Sequence, residues 1–265
     1  MLKQLLAAFV IALCSSWVQA ETFDHSLWDN LVKSHVVPIQ GGSSTQVDYG
    51  ALQQNRANLT AYLETLSALP RSRFDAFSKP EQLAFLINAY NAWTVELILS
   101  EYPDVESIKD LGGFFSSPWK EEFIPLFNDK VSLDYIEHDL IRGSGRYNDP
   151  RIHFAVNCAS VGCPALREEA YTGSQLEKQL EQQTMRFLTD SSRNRVSNGS
   201  MQISSIFKWY RGDFEAGWRG SNSLSEFFGL YKHALLWSEA SIAALQAGEL
   251  DISFLDYDWR LNDTQ

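Results

Sequence analysis

Apolar residues recur at helical spacing over most of this chain and alternate over only a few short stretches. Phe23, Leu27, Trp28, Leu31 and Val32 give 22–37 one apolar stripe, and Leu52, Leu59, Leu63 and Leu66 do the same for 49–69, which Pro70 ends. Between them, 40–45 is rich in Gly and Ser and reads as a loop. The most apolar helix opens at Ser78 or Lys79, with Pro80 in the first turn where a missing N–H costs nothing. It runs to about Ser100, ahead of Pro103. Residues 108–120 are Gly-rich and aromatic and read as irregular. Ser132 caps a helix to about Arg142, and 176–188, 205–214, 223–237 and 238–250 complete the helical set. Strand character is confined to three places. Ile152, Phe154 and Val156 share one face of 151–156, Asn198-Gly199 marks a hairpin between Val196 and Met201–Ile203, and Leu255, Tyr257 and Trp259 alternate. No repeat or long low-complexity linker divides the pattern. The expected fold is α+β, a mostly helical single domain over 21–265 with a small β-sheet.

The first twenty residues stand apart. Lys3 precedes an apolar run over 5–14, and Val18-Gln-Ala20 offers small or medium residues at a cleavage site, so 1–20 reads as a secretory signal peptide cut after Ala20. The apolar stretch 5–18 is shorter than the ~20 residues of a spanning helix, and 83–99 is interrupted by Asn88, Asn91 and Glu96. The mature protein is therefore expected to be exported, periplasmic or extracellular, with no membrane insertion after cleavage. Composition sharpens the partner classes. The 33 Asp and Glu against 22 Lys and Arg give a net charge of −11, which repels phosphate backbones and argues against a nucleic-acid partner. Eight Trp and ten Tyr are more than a minimal core needs and suit a cleft for a small-molecule or peptide ligand.

Several strings resemble the "domain of unknown function 547" family, a set of uncharacterised proteins. They are Phe85-Leu-Ile-Asn-Ala-Tyr-Asn-Ala92, Ser132-Leu-Asp-Tyr-Ile-Glu-His138, Asp149-Pro-Arg-Ile-His-Phe-Ala-Val-Asn-Cys158 running on to Cys163-Pro164, Ile206-Phe-Lys-Trp-Tyr210 with Asp213, and Tyr257-Asp-Trp259 with Leu261-Asn262. They span about 80–262 in the family's order, with Cys158-Ala-Ser160 where the family usually has Cys-Gly-Ala. The resemblance implies a fold and a site neighbourhood and no reaction.

Chemistry must come from the residues. On a strand, His153 would stand about 13 Å from Asn157 at ~3.3 Å per residue, out of reach of Cys158. Cys158 would sit where the strand gives way to a turn, with free backbone N–H groups to favour a thiolate, while Cys163 is held extended by Pro164. Asp134, His138 and Arg142 form one i, i+4 row, so Asp134 could orient His138 as a general base. Two readings follow. In the first, Cys158 is the nucleophile of a cysteine-dependent hydrolase or transferase acting on an amide or ester, helped by His138, with His153 in reserve. In the second, Cys158 and Cys163 form a disulfide that staples a non-catalytic binding or assembly module of the cell envelope. Asn88 and Asn91, polar within an apolar helix, and Lys208 and Tyr210 are candidates for core bracing or for substrate contact. The five His are scattered with no metal-ligand spacing, and no phosphate-binding glycine loop occurs, so no metal or cofactor is expected.

Overall fold

The computed structural model describes residues 21–112 and 117–265, so the expected signal peptide lies outside the described residues. The chain is mostly helical with small sheets of two and three strands, the α+β class expected. Helix α1 (Ser26–His35) is shorter than its apolar stripe, because Val36 leaves the helix to pair with Val47. Strands β1 (Val36–Ile39) and β2 (Ser44–Val47) thus make an antiparallel hairpin across the expected loop. The expected helix 49–69 is two, α2 (Tyr49–Gln54) and α3 (Arg56–Ser67), broken at Asn55, whose amide turns aside to His35 Nε2 at 3.1 Å. Helix α4 (Arg71–Ala76) follows. Helix α5 (Lys79–Leu99) starts where expected, with Ser78 Oγ accepting from Glu81 N. It is apolar on every side and is accordingly buried nearly throughout its length.

Strands β3 (Ile124–Leu126) and β4 (Asp129–Val131) form a second hairpin. The helix expected after Ser132 is a π-helix, Tyr135–Arg142, closed by Gly143 N donating to His138 O at 2.7 Å. Segment 151–156 is not a strand. It begins in a 3-10 turn, Pro150–Phe154, because Pro150 presets the first turn and Asp149 accepts from Arg151 N. The alternation misled because it assumes one solvent face, whereas 150–157 is buried all round. Ile152, Ala155 and Val156 enter the core built around α5, and Phe154 enters a second core.

That second core gathers Phe154, Phe187, Phe207, Phe214, Phe227 and Phe228. It is formed by α6 (Leu176–Leu188), β6 (Ser200–Ser204) of the hairpin it makes with β5 (Arg195–Ser197), α7 (Ile206–Trp209), α8 (Arg211–Phe214), α9 (Leu224–Leu230), α10 (Glu239–Ala247) and β7 (Asp251–Leu255). Asn198 and Gly199 both take positive φ, the turn their sequence announces. Strand β7 returns parallel to β6, and the chain then runs back across the first core. There Leu261 N donates to Glu106 O at 2.7 Å and Tyr49 donates to Asn262 Oδ1 at 2.9 Å. Among the described residues no helix is long and apolar enough to cross a membrane.

Candidate functional site

A cavity of about 180 Å³ opens where the two cores meet. The π-helix brings Asp134, Glu137 and His138 to it, the 3-10 turn brings His153, and the following loop brings Cys158 and Cys163. The end of α7 adds Trp209 and Tyr210, and the tail beyond β7 adds Tyr257 and Trp259. The two cysteines, the two histidines, Asp134 and Tyr210 singled out in the sequence therefore share one wall. Lys208 is exposed and outside it.

His153 is buried, stacked on Tyr210 with ring centroids 3.8 Å apart. Its Nε2 lies 2.7 Å from Asp213 Oδ2, and Arg142 grips the same carboxylate at 2.6 and 3.1 Å. Burial alone would raise the Asp213 carboxyl, but the hydrogen bonds from His153 and Arg142 outweigh it and hold it well below the usual carboxylate range. Burial pushes the His153 imidazole down, against the pull of Asp213. An ionised Asp213 facing a neutral ring assigns the proton to Nε2, which leaves Nδ1 as an acceptor. Nδ1 has no partner among the described residues.

His138 is arranged differently from the expected pairing with Asp134. Arg142 can only donate, and it donates to His138 Nδ1 at 2.9 Å, so the proton of the neutral ring sits on Nε2. That Nε2 stands 3.8 Å from Asp134 Oδ1, beyond hydrogen-bond length. The sequence reading missed Glu137, which is buried with its Oε1 unpartnered among the described residues. Burial, then the Glu137 carboxylate, pushes the phenols of Tyr90 and Tyr210 up, so both stay protonated beside it.

Cys158 and Cys163 are joined in a disulfide. The Tyr257 hydroxyl donates to both sulfurs, at 3.1 and 3.2 Å, and Cys158 N–H donates to Cys163 Sγ at 2.9 Å. No histidine is a hydrogen-bond partner of either sulfur among the described residues. Of the free N–H groups expected after Cys158, three are paired and that of Ser160 has no partner among the described residues. Ala159 N donates to Asn157 Oδ1, Val161 N to Arg260 O and Gly162 N to Asp258 O, each at 2.8 Å. The tail comes so close that a Cβ on Gly162 would stand 2.9 Å from the Tyr257 ring, which only glycine avoids.

Asn88 and Asn91 lie outside the cavity lining and hold backbone. Asn88 donates to Tyr171 O at 2.8 Å and accepts from Tyr171 N at 3.0 Å. Asn91 donates to Ala155 O at 2.9 Å and accepts from Asn157 N at 2.8 Å, and so fixes the loop that carries Cys158. Neither amide is left to meet a substrate. Among the described residues no group of three His, Cys, Asp or Glu side chains is placed to hold a metal ion.

No curated protein and no solved structure matches the chain. Residues 74–188 match the model of the family described as "Protein of unknown function, DUF547". The matched segment carries the cysteine, histidine and Glu137 walls of the cavity and the central strings whose resemblance pointed to that family.

Proposed function

We propose that the mature protein is an exported, non-catalytic binding module of the cell envelope, with the aromatic and acidic cavity as its ligand site. The Cys158–Cys163 disulfide carries the reading. A sulfur held in a disulfide is no nucleophile, and the N–H groups of Ala159, Val161 and Gly162 are taken by other acceptors and so are not free for a developing oxyanion. Export supplies the oxidising compartment in which such a bond persists. Its motive is the charged start, apolar run and Val18-Gln-Ala20 of the leader.

One observation favours the cysteine-dependent hydrolase or transferase as the second reading: Cys158, His138, His153 and Asp134 line one cavity. Thiol titration of protein purified without reductant separates the two. The module reading expects no free thiol at Cys158 or Cys163 after denaturation. A free Cys158 alkylated quickly by iodoacetamide at neutral pH would replace it with the enzyme. Intact mass of protein from its own host tests export, with a mature N-terminus at Glu21 expected and retention of 1–20 counting against it.

A further inference from the structure

Building on the reading of the cavity as a ligand site, we propose that it takes an organic cation, a primary ammonium or guanidinium group on a short apolar stem. The buried side-chain atoms of its wall that lack partners among the described residues are both acceptors: Oε1 of Glu137, with a side chain 6% exposed, and Nδ1 of His153, at 1%. The native pairing of buried polar atoms is nearly complete in folded proteins, so two orphaned acceptors on one cavity indicate a donor that is brought in from outside. Asp134 adds a third acceptor to the same cavity, and the His138 ring beside it is beyond hydrogen-bond length at 3.8 Å. No Lys or Arg lines the cavity among the described residues. Arg142 and the Tyr90 and Tyr210 hydroxyls compensate Glu137 only in part, and an anion in the cavity would be repelled by Glu137 and Asp134. Glu137 and His153 both line the cavity, and low exposure to bulk water keeps their electrostatic pull on it weakly screened.

The remaining wall is aromatic, and its rings already hold cations. Lys109 Nζ stands 4.0 Å from the Trp259 ring centroid, and the Arg142 guanidinium lies 4.9 Å over Tyr210. Trp209, half exposed at the rim, packs with Tyr257 and Trp259 at 4.8 and 5.7 Å. Those contacts show that the aromatic wall suits cations, and Trp209 and Tyr257, which hold none among the described residues, offer an entering cation their ring quadrupoles. At about 180 Å³ the cavity has room to bury a group the size of one amino-acid side chain.

The test titrates the oxidised, full mature chain by calorimetry and tryptophan fluorescence with n-butylammonium, n-butanol, butyrate and N-acetylglucosamine. Butylammonium is expected to bind at least about tenfold more tightly than butanol, to weaken with added salt, and to lose about tenfold in Glu137→Gln. Butyrate should not bind, and Lys208→Ala should bind like wild type. Equal binding of butanol and butylammonium, preference for N-acetylglucosamine, or undiminished butylammonium binding in Glu137→Gln would each overturn the proposal. If Glu137→Gln does not fold, Asp134→Asn gives the same readout. Free thiols with butylammonium binding intact would remove the module reading and leave the cation site. An intact disulfide with no butylammonium binding would remove the cation site alone.

Discussion

Arg151 and His153 stand two residues apart on one buried turn, yet their polar surroundings are built on opposite plans. Arg151 is 2% exposed, and its charge is fully paired: Asp149 and Glu177 each lie at 2.7 Å, Glu181 at 2.9 Å, and Trp218 lies beneath the guanidinium. Burial would lower its pKa, and Asp149 and Glu177 more than reverse that. His153 is as deeply buried, but its network stops short, with Nδ1 and the neighbouring Glu137 Oε1 left without partners among the described residues. A closed network holds the fold together. An open one beside a cavity costs stability and is the expected mark of a site that something else completes.

If that division is right, substitutions in the two clusters have unequal effects on stability. Arg151→Gln is expected to cost about 3 kcal/mol in denaturant unfolding. That is the low end for a broken buried pair, because Glu177 is largely exposed and Arg219 still faces it. A cost under 1 kcal/mol would erase the distinction. Asn88→Leu and Asn91→Leu come next, at about 1–3 kcal/mol each, since each leaves a buried backbone donor and acceptor unpaired. Unchanged midpoints for both would return these amides to the list of ligand contacts. Removing the disulfide with Cys158→Ala and Cys163→Ala together should cost about 2 kcal/mol, as expected for so short a loop. A much larger loss would mean that the bond sets the cavity wall and not merely the loop.

The pH profile sharpens the same contrast. Burial depresses His153, and it depresses His25 to about 4. The unfolded chain therefore takes up protons first, and stability is full above about pH 6.5 and falls as pH drops toward 4. Urea unfolding at several pH values should show this decline, shallower in His153→Gln and shallower again when His25→Gln is added. The carboxyl of Asp213 is held low, so its contribution is lost only below about pH 4. An unchanged slope in His153→Gln would mean that its ring is already protonated in the native state, and Nδ1 would then be no acceptor.

Local rules read well wherever one neighbour set decides the conformation. The Ser78 cap and Pro80, the 176–188 helix and the Asn198-Gly199 turn all appear as expected. They failed where distant segments decide. Residues 150–157 alternate in sequence yet serve two cores, a cavity and an ion cluster at once. Glu137 is not marked out in the sequence, and no pattern announces the π-helix that carries it in at burial. The N–H groups of Val161 and Gly162 are paired by a tail about a hundred residues later, through Arg260 and Asp258. The candidate residues themselves were largely legible, because the chemistry of Cys158, Cys163, His138 and His153 does not depend on the element that carries them. Their roles were not, because a role is set by the partner, and the partner of His153 is Asp213 on α8.

The most direct test of an open network kept for a ligand is the unfolding free energy of Glu137→Gln beside that of Arg151→Gln. Glutamine keeps an acceptor for the Tyr90 and Tyr210 hydroxyls and removes a buried, half-paired charge. The expected result is a Glu137→Gln protein as stable as wild type or more stable, against a loss of about 3 kcal/mol for Arg151→Gln. A loss of about 2 kcal/mol or more in Glu137→Gln would show that this carboxylate serves the fold, and the contrast between the two clusters would not stand.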